Sequence, residues 1–299
     1  MINQKKNSAV LSILIVSYNT RDALERCINS VYKNTHDISF EIIVSDNNSG
    51  DGSADMIDKI FPQVKLLRNN DNLGFARAIN KAIAIAHGRY ILLLNSDTLV
   101  LPRSLNNMVK FLSDHPDAGA VGAKMLYPDH TLQRTARSFP TPMASFFGRK
   151  SFLTKIFPAN KYSKRYMVTD KEDSNKPYEV DWVSGGAMMI KNETVEHVGV
   201  LDERFFIYWE DADWCFRIKK NGWKVFCIPS APIIHYEGGS SKNDRLRLII
   251  HFHKSVYMFY RKHYIKSHYS IMNIVAVLGL TLRALLIYIY RFFDFIKKV

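Results

Sequence analysis

The chain has 299 residues, of which 47% are hydrophobic and 23% charged. This composition is typical of a globular protein and argues against disorder, and the length suits one large domain or two small ones. The formal net charge of +13 favours an anionic partner, such as a phosphorylated ligand, a membrane surface or nucleic acid. The three cysteines show no CxxC spacing, which argues against a disulfide framework or a zinc site and fits a reducing compartment.

The first half of the chain alternates between apolar strands and amphipathic helices. The first apolar run follows basic residues, but it is short and lacks a small-residue cleavage site, so it is interpreted as a strand and not as a signal peptide. Apolar strands separated by helices predict a mostly parallel, Rossmann-like α/β sheet with helices on both faces. Strands are predicted at 11–18, 40–47, 64–69, 90–97 and 118–126, and helices at 22–34, after SGDGS, and at 74–88 and 104–116.

Polar residues stand where three of these strands end. Asn19 follows the first strand, Asp46 ends the second, and Asp97 ends the apolar run YILLLNSD. Because parallel sheets bind ligands beyond the carboxyl ends of their strands, the three side chains are expected to converge on one edge. The alternative, that Asp46 and Asp97 only cap the turns or helices that follow, stays open for either residue taken alone.

Residues 128–179 have poor periodicity and contain five prolines among basic and aromatic residues. They predict an irregular segment over the edge of the sheet, in the position of a substrate lid or acceptor-binding segment. A strand-like pattern resumes at 178–192 and is interrupted by Gly185 and Gly186. The two glycines indicate either close approach of a ligand to the backbone or a β-bulge.

A second group of acids lies in FFIYWEDADWCFRIKKNGW, residues 205–223. A helix is predicted from about Glu210 to Asn221. Acids at a helix N-terminus complement the macrodipole, but burial among aromatic residues and mutual repulsion would also raise the pKa of a carboxyl group. Such a carboxylate can act as a general base. The acids are Glu210, Asp211 and Asp213, and the aromatic residues are Tyr208, Trp209 and Trp214.

His235 ends a later apolar run and precedes Gly238 and Gly239. A lone histidine in this setting is more often structural than a ligand. Its interest depends on whether it comes near Asp97, because a histidine and a carboxylate could share a divalent metal with phosphate oxygens and water.

Six segments occur in the order SILIVSYN, VSDNNSGDGS, NDNLGFARAIN, LLLNSD, YWEDADWCFR and HYEGGSS. Together they resemble family 2 glycosyltransferases, and in particular the rhamnosyltransferase-like enzymes of bacterial polysaccharide assembly. The resemblance covers about residues 10–241. It implies a GT-A fold, a nucleotide-diphosphate sugar donor, a divalent metal (Mg²⁺ or Mn²⁺) and inversion at the anomeric carbon.

The resemblance also implies a role for each matching position. Asp211 matches the catalytic base, with Glu210 beside it. Asp97 matches the last acid of the family's DxD motif, which holds the metal on the diphosphate, and His235 matches a later metal or diphosphate ligand. Asp46 would accept a hydrogen bond from a pyrimidine base. The remaining positions are assigned to nucleotide and donor binding (Asn19, Asn72, Gly74 and Asn80) and to the sugar or acceptor (Trp182, Gly185, Gly186 and Trp209).

The chain departs from the DxD pattern, because Asn95-Ser96-Asp97 supplies one carboxylate where the motif supplies two. One aspartate can still hold Mg²⁺, which keeps several waters and binds phosphate oxygens. The strict need for a metal is left open, and Arg134 or Arg137 could carry part of the leaving-group charge.

From Lys242 onward, eleven lysine and arginine residues face two aspartates. Residues 271–296 approach the ~20 residues that a membrane span needs, but Arg283 interrupts them. On a helical wheel the polar residues form one narrow stripe, which fits a helix lying in the membrane interface on anionic lipid. We therefore predict two parts, a GT-A domain (1–241) and a basic helical extension (242–299) at the cytoplasmic face of the plasma membrane. Packing on the domain or on a second subunit, as in a homodimer, is the alternative.

Other functions fit the sequence less well. A nucleic-acid binder fits the charge, but no recognition motif is present. A dinucleotide oxidoreductase would need GxGxxG after the first strand, where SYNTRDA stands, and a nucleotidyltransferase would need a glycine-rich, lysine-containing loop. An inactive nucleotide-sugar-binding homologue remains an alternative. By resemblance, the expected donor is dTDP-rhamnose, with UDP-hexoses as the alternative, and the expected acceptor is a saccharide or a polyprenyl-diphosphate-linked sugar.

Overall fold

The computed structural model describes residues 9–139, 166–168, 171, 174–236, 245–265, 271, 274, 277–282 and 284–285. Most of the predicted lid segment, Gly238, Gly239, Arg283 and residues 286–299 lie outside the described residues. The predictions made for them concern parts of the chain that the structure does not describe.

The described chain follows the predicted alternation. The strands are β1 (Leu11–Ser17), β2 (Phe40–Asp46), β3 (Lys65–Arg68), β4 (Tyr90–Asn95), β5 (Thr98–Val100), β6 (Ala118–Leu126), β7 (Ala136–Arg137), β8 (Tyr178–Val180), β9 (Trp182–Val183), β10 (Ala187–Lys191) and β11 (Lys224–His235). The helices are α1 (Arg21–Asn34), α2 (Ser53–Ile60), α3 (Phe75–Ile83), α4 (Ser104–Asp114), α5 (Asn192–Val198), α6 (Glu210–Lys220) and α7 (Arg245–His263).

The main sheet is mixed and has the strand order β3-β2-β1-β4-β10-β6-β11-β5, with β8 also paired to β11. Strands β3, β2, β1 and β4 are parallel, and β6 and β11 run in the same direction. Strands β10, β5 and β8 run the opposite way. The prediction of a mostly parallel sheet is confirmed, while the short antiparallel strands could not be predicted because their pairing is not local in sequence.

The register of the central strands aligns their carboxyl ends. Ser17 of β1 pairs with Asp46 of β2, and Val16 pairs with Asn95 of β4. The loops that follow these three strands therefore leave the sheet at one edge, as the sequence predicts.

Both faces of the sheet are covered. Alternate side chains of β1 enter different apolar cores, since Ile13 packs with α1, α2 and α4 whereas Leu14 packs with α3 and α6. The buried face of α1 has the i, i+3, i+4, i+7 spacing of Leu24, Cys27, Ile28 and Val31. Full burial of such a leucine or isoleucine contributes about 1.5–3 kcal/mol, so these two cores fix the strand edges that carry the polar residues.

Helix α7 packs on the α/β body, although the sequence places it in a separate extension. Phe259 is fully buried within the core that also holds Trp214. The hydroxyl of Ser255 donates a 3.0 Å hydrogen bond to the carbonyl of Ile207. Residues 245–265 therefore pack on the domain, whereas the sequence raised such packing as an alternative for residues 271–296. Among the described residues, no helix combines the length and apolarity needed to cross a bilayer.

Candidate active site

Asp97 and His235 meet at the edge of the sheet. Asp97 lies in the turn between β4 and β5, and β5 pairs with the end of β11 so that Thr98 lies opposite His235. The Oδ1 atom of Asp97 is 3.2 Å from Nε2 of His235, and both side chains are largely buried. The condition that the sequence set for His235, proximity to Asp97, is met.

Gln133 holds the other side of the same imidazole. Its Oε1 lies 2.9 Å from Nδ1 of His235, and its Nε2 donates a 2.9 Å hydrogen bond to the carbonyl of His235. The sequence gives no signal for this contact, since Gln133 lies in a segment without periodicity, 102 residues from His235.

Hydrogen bonds join the end of β4, two residues before Asp97, to the second acidic group. The N–H of Asn95 donates to the carbonyl of Gly186 over 2.9 Å. The next residue back, Gly185, donates its N–H to Oδ2 of Asp211 over 2.9 Å. A Cβ at Gly186 would come within 3.2 Å of Nδ2 of Asn95. Gly185 and Gly186 therefore lie where the end of β4 and the start of α6 approach each other.

Asp211 and Glu210 begin α6 in different environments. The Oδ1 of Asp211 accepts a 2.7 Å bond from the N–H of Ala212, so both of its oxygens are held by backbone donors. Glu210 is 6% exposed, and its Oε2 has no hydrogen-bond partner among the described residues. Burial raises the pKa of both carboxyl groups, and the charge of Asp211 raises the pKa of Glu210 further.

The environment decides which of the two stays charged. The N–H groups of Gly185 and Ala212 and the charge of Arg137 act against the rise in the Asp211 pKa. Within the described residues, the only hydrogen bond that lowers the Glu210 pKa comes from its own backbone. Asp211 is therefore the group that ionises first, and Glu210 is the group that keeps its proton.

The third acid of the group has a different role. Asp213 is fully buried and contacts three basic side chains, with Arg217 at 2.9 Å and Lys262 and His263 at 2.7 Å. Burial alone would raise the pKa of Asp213, but the hydrogen bonds from His263 and Lys262 hold it below the usual value. Since Lys262 and His263 belong to α7, Asp213 attaches that helix to the start of α6.

An aromatic wall stands beside the acids. The rings of Trp182 and Trp209 stack at 6.1 Å, and the guanidinium of Arg137 lies 5.0 Å from the centre of the Trp182 ring. Tyr208 and Trp209 have φ angles of 69° and 70°, a conformation that costs non-glycine residues energy. Trp209 is held in it by rings of α7, including Phe259 at 5.1 Å.

Asp46 faces a second part of the same edge. Its Oδ2 accepts a 2.9 Å hydrogen bond from the N–H of Ser49. Its Oδ1 is buried and has no partner within the described chain. Nearby, the N–H of Asn19 donates to the hydroxyl of Ser49, and Oδ1 of Asn19 accepts from the N–H of Gly50. Asn19 and Asp46 thus hold the same loop, residues 49–50, and within the described chain Asp46 keeps one acceptor oxygen without a partner.

Asn72, Gly74 and Asn80 are connected to the site to different degrees. Asn72 accepts from the amide of Asn47, next to Asp46, and from the N–H of Gly74. Gly74 has φ +79°, and a Cβ there would lie 2.4 Å from the carbonyl of Phe206. The Asn80 side chain lies in the second turn of α3 and bonds to Leu201 and to an exposed glutamate. Its contacts do not join it to the other predicted residues, so any part it has is indirect.

Asp97 and His235 fit two positions of a divalent-metal site. Two ligands about 2.1 Å from one octahedral ion lie about 3 Å apart, and the observed separation is 3.2 Å. Within the described residues no group of three His, Cys, Asp or Glu side chains could hold a metal. The remaining ligands would have to come from a diphosphate and water, which suits Mg²⁺ or Mn²⁺ and not a structural zinc site.

The geometry agrees with what known proteins show. A sequence model described as Glycosyl transferase family 2 matches residues 12–197. The chain belongs to this family. The glycosyltransferase is 30% identical over 261 residues to an N-acetylglucosaminyl-diphospho-decaprenol L-rhamnosyltransferase of Mycobacterium tuberculosis (strain CDC 1551 / Oshkosh), and the match covers 84% of this chain and 83% of the relative. It is 25% identical to the O-antigen biosynthesis protein RfbC of Myxococcus xanthus over 79% of this chain and 18% of that protein.

Solved structures share the fold. The mannosyltransferase PcManGT of Pyrobaculum calidifontis, in complex with GDP-Man and Mn²⁺, superposes with a TM-score of 0.57 at 16% identity, covering 93% of this chain and 72% of that one. GalNAc-T7 with UDP, GalNAc and Mn²⁺ gives a TM-score of 0.61 at 19% identity, covering 86% and 48%. The predicted GT-A fold, family and glycosyltransferase activity are confirmed.

The family match ends before the acidic helix. Residues 12–197 contain the Asp46 and Asp97 edge and the glycine pair, whereas Asp211 and His235 lie beyond them. The roles of the individual residues therefore depend on the geometry described above, and they remain predictions.

Proposed function

We propose that this glycosyltransferase moves rhamnose from dTDP-rhamnose to a polyprenyl-diphosphate-linked N-acetylglucosamine, with inversion at the anomeric carbon. The acceptor and sugar are those in the name of the mycobacterial relative, whose similarity extends over more than four fifths of both chains. The deoxythymidine diphosphate carrier comes from the resemblance noted in the sequence.

The observation that carries the proposal is the continuous contact path between two separated groups. Asp211 is bound to Gly185, and the neighbouring Gly186 is bound to Asn95, whose Nδ2 lies 3.4 Å from Nε2 of His235. This path supports a common site for the proposed base and the two potential metal ligands.

The base step follows from the environment of Asp211. Its two oxygens accept backbone hydrogen bonds, but each carboxylate oxygen has a second lone pair. A free lone pair can take the proton of the acceptor hydroxyl while the hydroxyl oxygen bonds to the anomeric carbon. The bond from that carbon to the diphosphate oxygen breaks on the opposite face, and the electron pair leaves with the nucleoside diphosphate. Attack and departure on opposite faces invert the configuration.

The leaving diphosphate needs positive charge. Asp97 and His235 would hold a divalent metal there, and the metal would supply charge neutralisation for the developing phosphate. Arg137, whose charge already acts on Asp211, lies at the same wall. Asn95 carries no charge, so the two protein ligands leave more of the metal's coordination to the donor.

The pyrimidine base is assigned to Asp46. Its unpartnered, buried Oδ1 would cost about 1–3 kcal/mol if it stayed without a hydrogen bond. The ring N–H of thymine or uracil would satisfy it. This feature does not separate dTDP from UDP, and a UDP-hexose donor has its own support. The E. coli UDP-Glc:alpha-D-GlcNAc-diphosphoundecaprenol beta-1,3-glucosyltransferase WfaP is 35% identical over 104 residues, 34% of this chain and 41% of that protein.

The C-terminal helical residues support binding to a membrane surface on the cytoplasmic face. Leu280 packs against the cluster of Val256, Tyr260 and Ile265 on and just after α7. The neighbouring apolar side chains at i, i+3 and i+4 spacing are exposed, and they form a stripe of Ile271, Ile274, Val277, Leu278, Leu282 and Leu285. An exposed leucine-rich stripe beside basic residues fits insertion into the interface of an anionic bilayer. A homodimer formed through the same stripe is the alternative.

A donor screen tests the function. The protein is heated with Mn²⁺ and each of dTDP-rhamnose, UDP-glucose, GDP-mannose and the free nucleoside diphosphates, and donors that raise the unfolding temperature are assayed for transfer to N-acetylglucosaminyl-diphospho-polyprenol. We expect stabilisation and rhamnosyl transfer with dTDP-rhamnose. Transfer of glucose without transfer of rhamnose would replace the proposed donor, and the absence of stabilisation by any pyrimidine nucleotide would contradict the assignment of Asp46.

A further inference from the structure

The Gln133 side chain contacts His235 at two points that together fix its orientation. Its Nε2 donates to the backbone carbonyl of His235 at 2.9 Å, and its Oε1 lies 2.9 Å from Nδ1 of the ring. A carbonyl oxygen only accepts, so the amide nitrogen must be on that side and the amide oxygen must face the imidazole. Because an amide oxygen also only accepts, Nδ1 must carry a hydrogen.

This hydrogen determines what the other ring nitrogen presents. In a neutral imidazole with a hydrogen on Nδ1, Nε2 has a free lone pair. Nε2 lies 3.2 Å from Oδ1 of Asp97 and 3.4 Å from Nδ2 of Asn95. Nε2 of His235 and Oδ1 of Asp97 are both electron-rich, so a proton or a metal ion between them would relieve their repulsion. The ring is therefore presented to a cation through Nε2.

Gln133 is itself held in place. Gln133 is 3% exposed, and its backbone N–H donates a 2.9 Å hydrogen bond to the carbonyl of Met125 near the end of β6. A bridge between Leu126 and Leu132 closes the turn before it. Since β6 pairs with β11, the glutamine and the histidine are supported by neighbouring strands.

We propose that Gln133 is a positioning residue of the metal site, which selects the tautomer and fixes the ring plane of His235 so that Nε2 and the Asp97 carboxylate bind one divalent cation. A histidine ligand depends on the partner of its other nitrogen for both properties. The inference rests on the proposed function, because it takes Asp97 and His235 as the protein ligands.

The test is Mn²⁺ binding by the full-length protein in the presence of dTDP, measured as free Mn²⁺ by electron paramagnetic resonance. Gln133→Leu keeps the size of the side chain and removes both hydrogen bonds. We expect its Mn²⁺ affinity to fall about 10- to 100-fold, the usual loss when the partner of a histidine ligand is removed. Gln133→Leu should lower the unfolding temperature, because the carbonyl and Nδ1 of His235 lose their partners. Binding of dTDP in EDTA should stay close to wild type, which separates the loss of Mn²⁺ affinity from a general loss of structure.

Gln63→Leu is the matched control, because it makes the same chemical change at an exposed residue and should leave Mn²⁺ affinity unchanged. Asp97→Asn and His235→Gln remove the ligands themselves. If these two variants keep wild-type Mn²⁺ affinity, the metal site of the proposed function is wrong. If they lose it while Gln133→Leu keeps it, only the role of Gln133 is overturned.

Discussion

The backbone N–H of Gly185 donates a 2.9 Å hydrogen bond to Oδ2 of Asp211. One partner lies inside the region that matches the family, residues 12–197, and the other lies beyond it. A Cβ at Gly185 would lie 3.5 Å from Cβ of Asp211, which is an ordinary van der Waals contact. The hydrogen bond, and not a lack of space, therefore sets the distance between the two residues. It brings the proposed base to the edge that ends with Asp97.

The first prediction concerns the pH dependence of transfer. A general base acts only when ionised, and burial raises the pKa of Asp211 above 3.8. The rate should therefore begin to fall, as pH decreases, at a higher pH than an ordinary aspartate would give. The profile of kcat against pH at saturating donor measures this, and a rate that stays constant down to about pH 4 would contradict the assignment.

The second prediction concerns the stability cost of Glu210. Its folded-state pKa is raised, first by burial and then by the charge of Asp211. The stability that a raised carboxyl pKa contributes is present below the unfolded-state value of about 4.5 and is lost as pH rises through the folded-state value. Near pH 8 the raised pKa of Glu210 therefore lowers the free energy of unfolding, and Glu210→Gln should increase that free energy.

Urea denaturation at pH 8 and again near pH 4 measures the effect of Glu210→Gln, and the gain should shrink at the lower pH. Glu196→Gln changes an exposed glutamate on α5 and should have little effect at either pH. A Glu210→Gln variant less stable than wild type at pH 8 would show that the carboxylate has a favourable partner.

The third prediction concerns the attachment of α7. His263 lies 2.7 Å from the fully buried Asp213, and its ring lies 4.0 Å from that of Phe216. His263→Phe keeps an aromatic ring and removes the hydrogen bond to a charged group, so it should cost about 1.5–3 kcal/mol. Chemical denaturation checks this, with His197→Phe on the exposed side of α5 as the control; equal stability of the two variants would contradict it.

The pH dependence of the same contact has the opposite sign to that of Glu210. The pKa of Asp213 is lowered by its hydrogen bonds to His263 and Lys262, despite burial. Its contribution to stability is therefore present above the unfolded-state pKa of 3.8 and is lost as pH falls through the lower folded-state value. Asp213→Asn should reduce the acid sensitivity of the protein below about pH 4 while making it less stable at neutral pH.

The fourth prediction compares two glycines with positive φ. Gly74 and Gly222 have φ angles of +79° and +86°, but a Cβ meets the Phe206 carbonyl at 2.4 Å in the first case and nothing within 4 Å in the second. Gly222→Ala should cost only the conformational strain, about 1–2 kcal/mol. Gly74→Ala should cost more, because it also separates the N–H of Phe75 from the Phe206 carbonyl, a 2.7 Å bond. Equal denaturation midpoints would contradict this comparison.

The sequence predicted the parts of the site that local pattern encodes. The apolar run of β4 and the acid that follows it placed Asp97 at the sheet edge, and parallel pairing brought Asp46 to the same edge. The helix predicted near Glu210 begins at that residue. These features depend on periodicity and strand direction, which are visible within a few residues.

Contacts between distant segments could not be predicted in the same way. The hydrogen bonds from Gln133 to His235 join residues 102 positions apart through the pairing of β6 with β11. The packing of α7 was missed for a related reason, because its basic residues were read as a surface for lipid while Lys262 and His263 face the buried Asp213. The sequence indicates the sign of the charge that a basic residue will pair with, but the partner itself is set by the tertiary structure.

Transfer by Asp211→Asn tests the central claim most directly. The variant and wild type are loaded with dTDP-rhamnose and Mn²⁺, and a single turnover onto N-acetylglucosaminyl-diphospho-polyprenol is followed. Asparagine keeps the size of the side chain and an acceptor for Gly185 but cannot take the proton, so transfer should fall by at least about 100-fold while dTDP affinity stays at the wild-type value. Transfer at the wild-type rate would show that Asp211 is not the base.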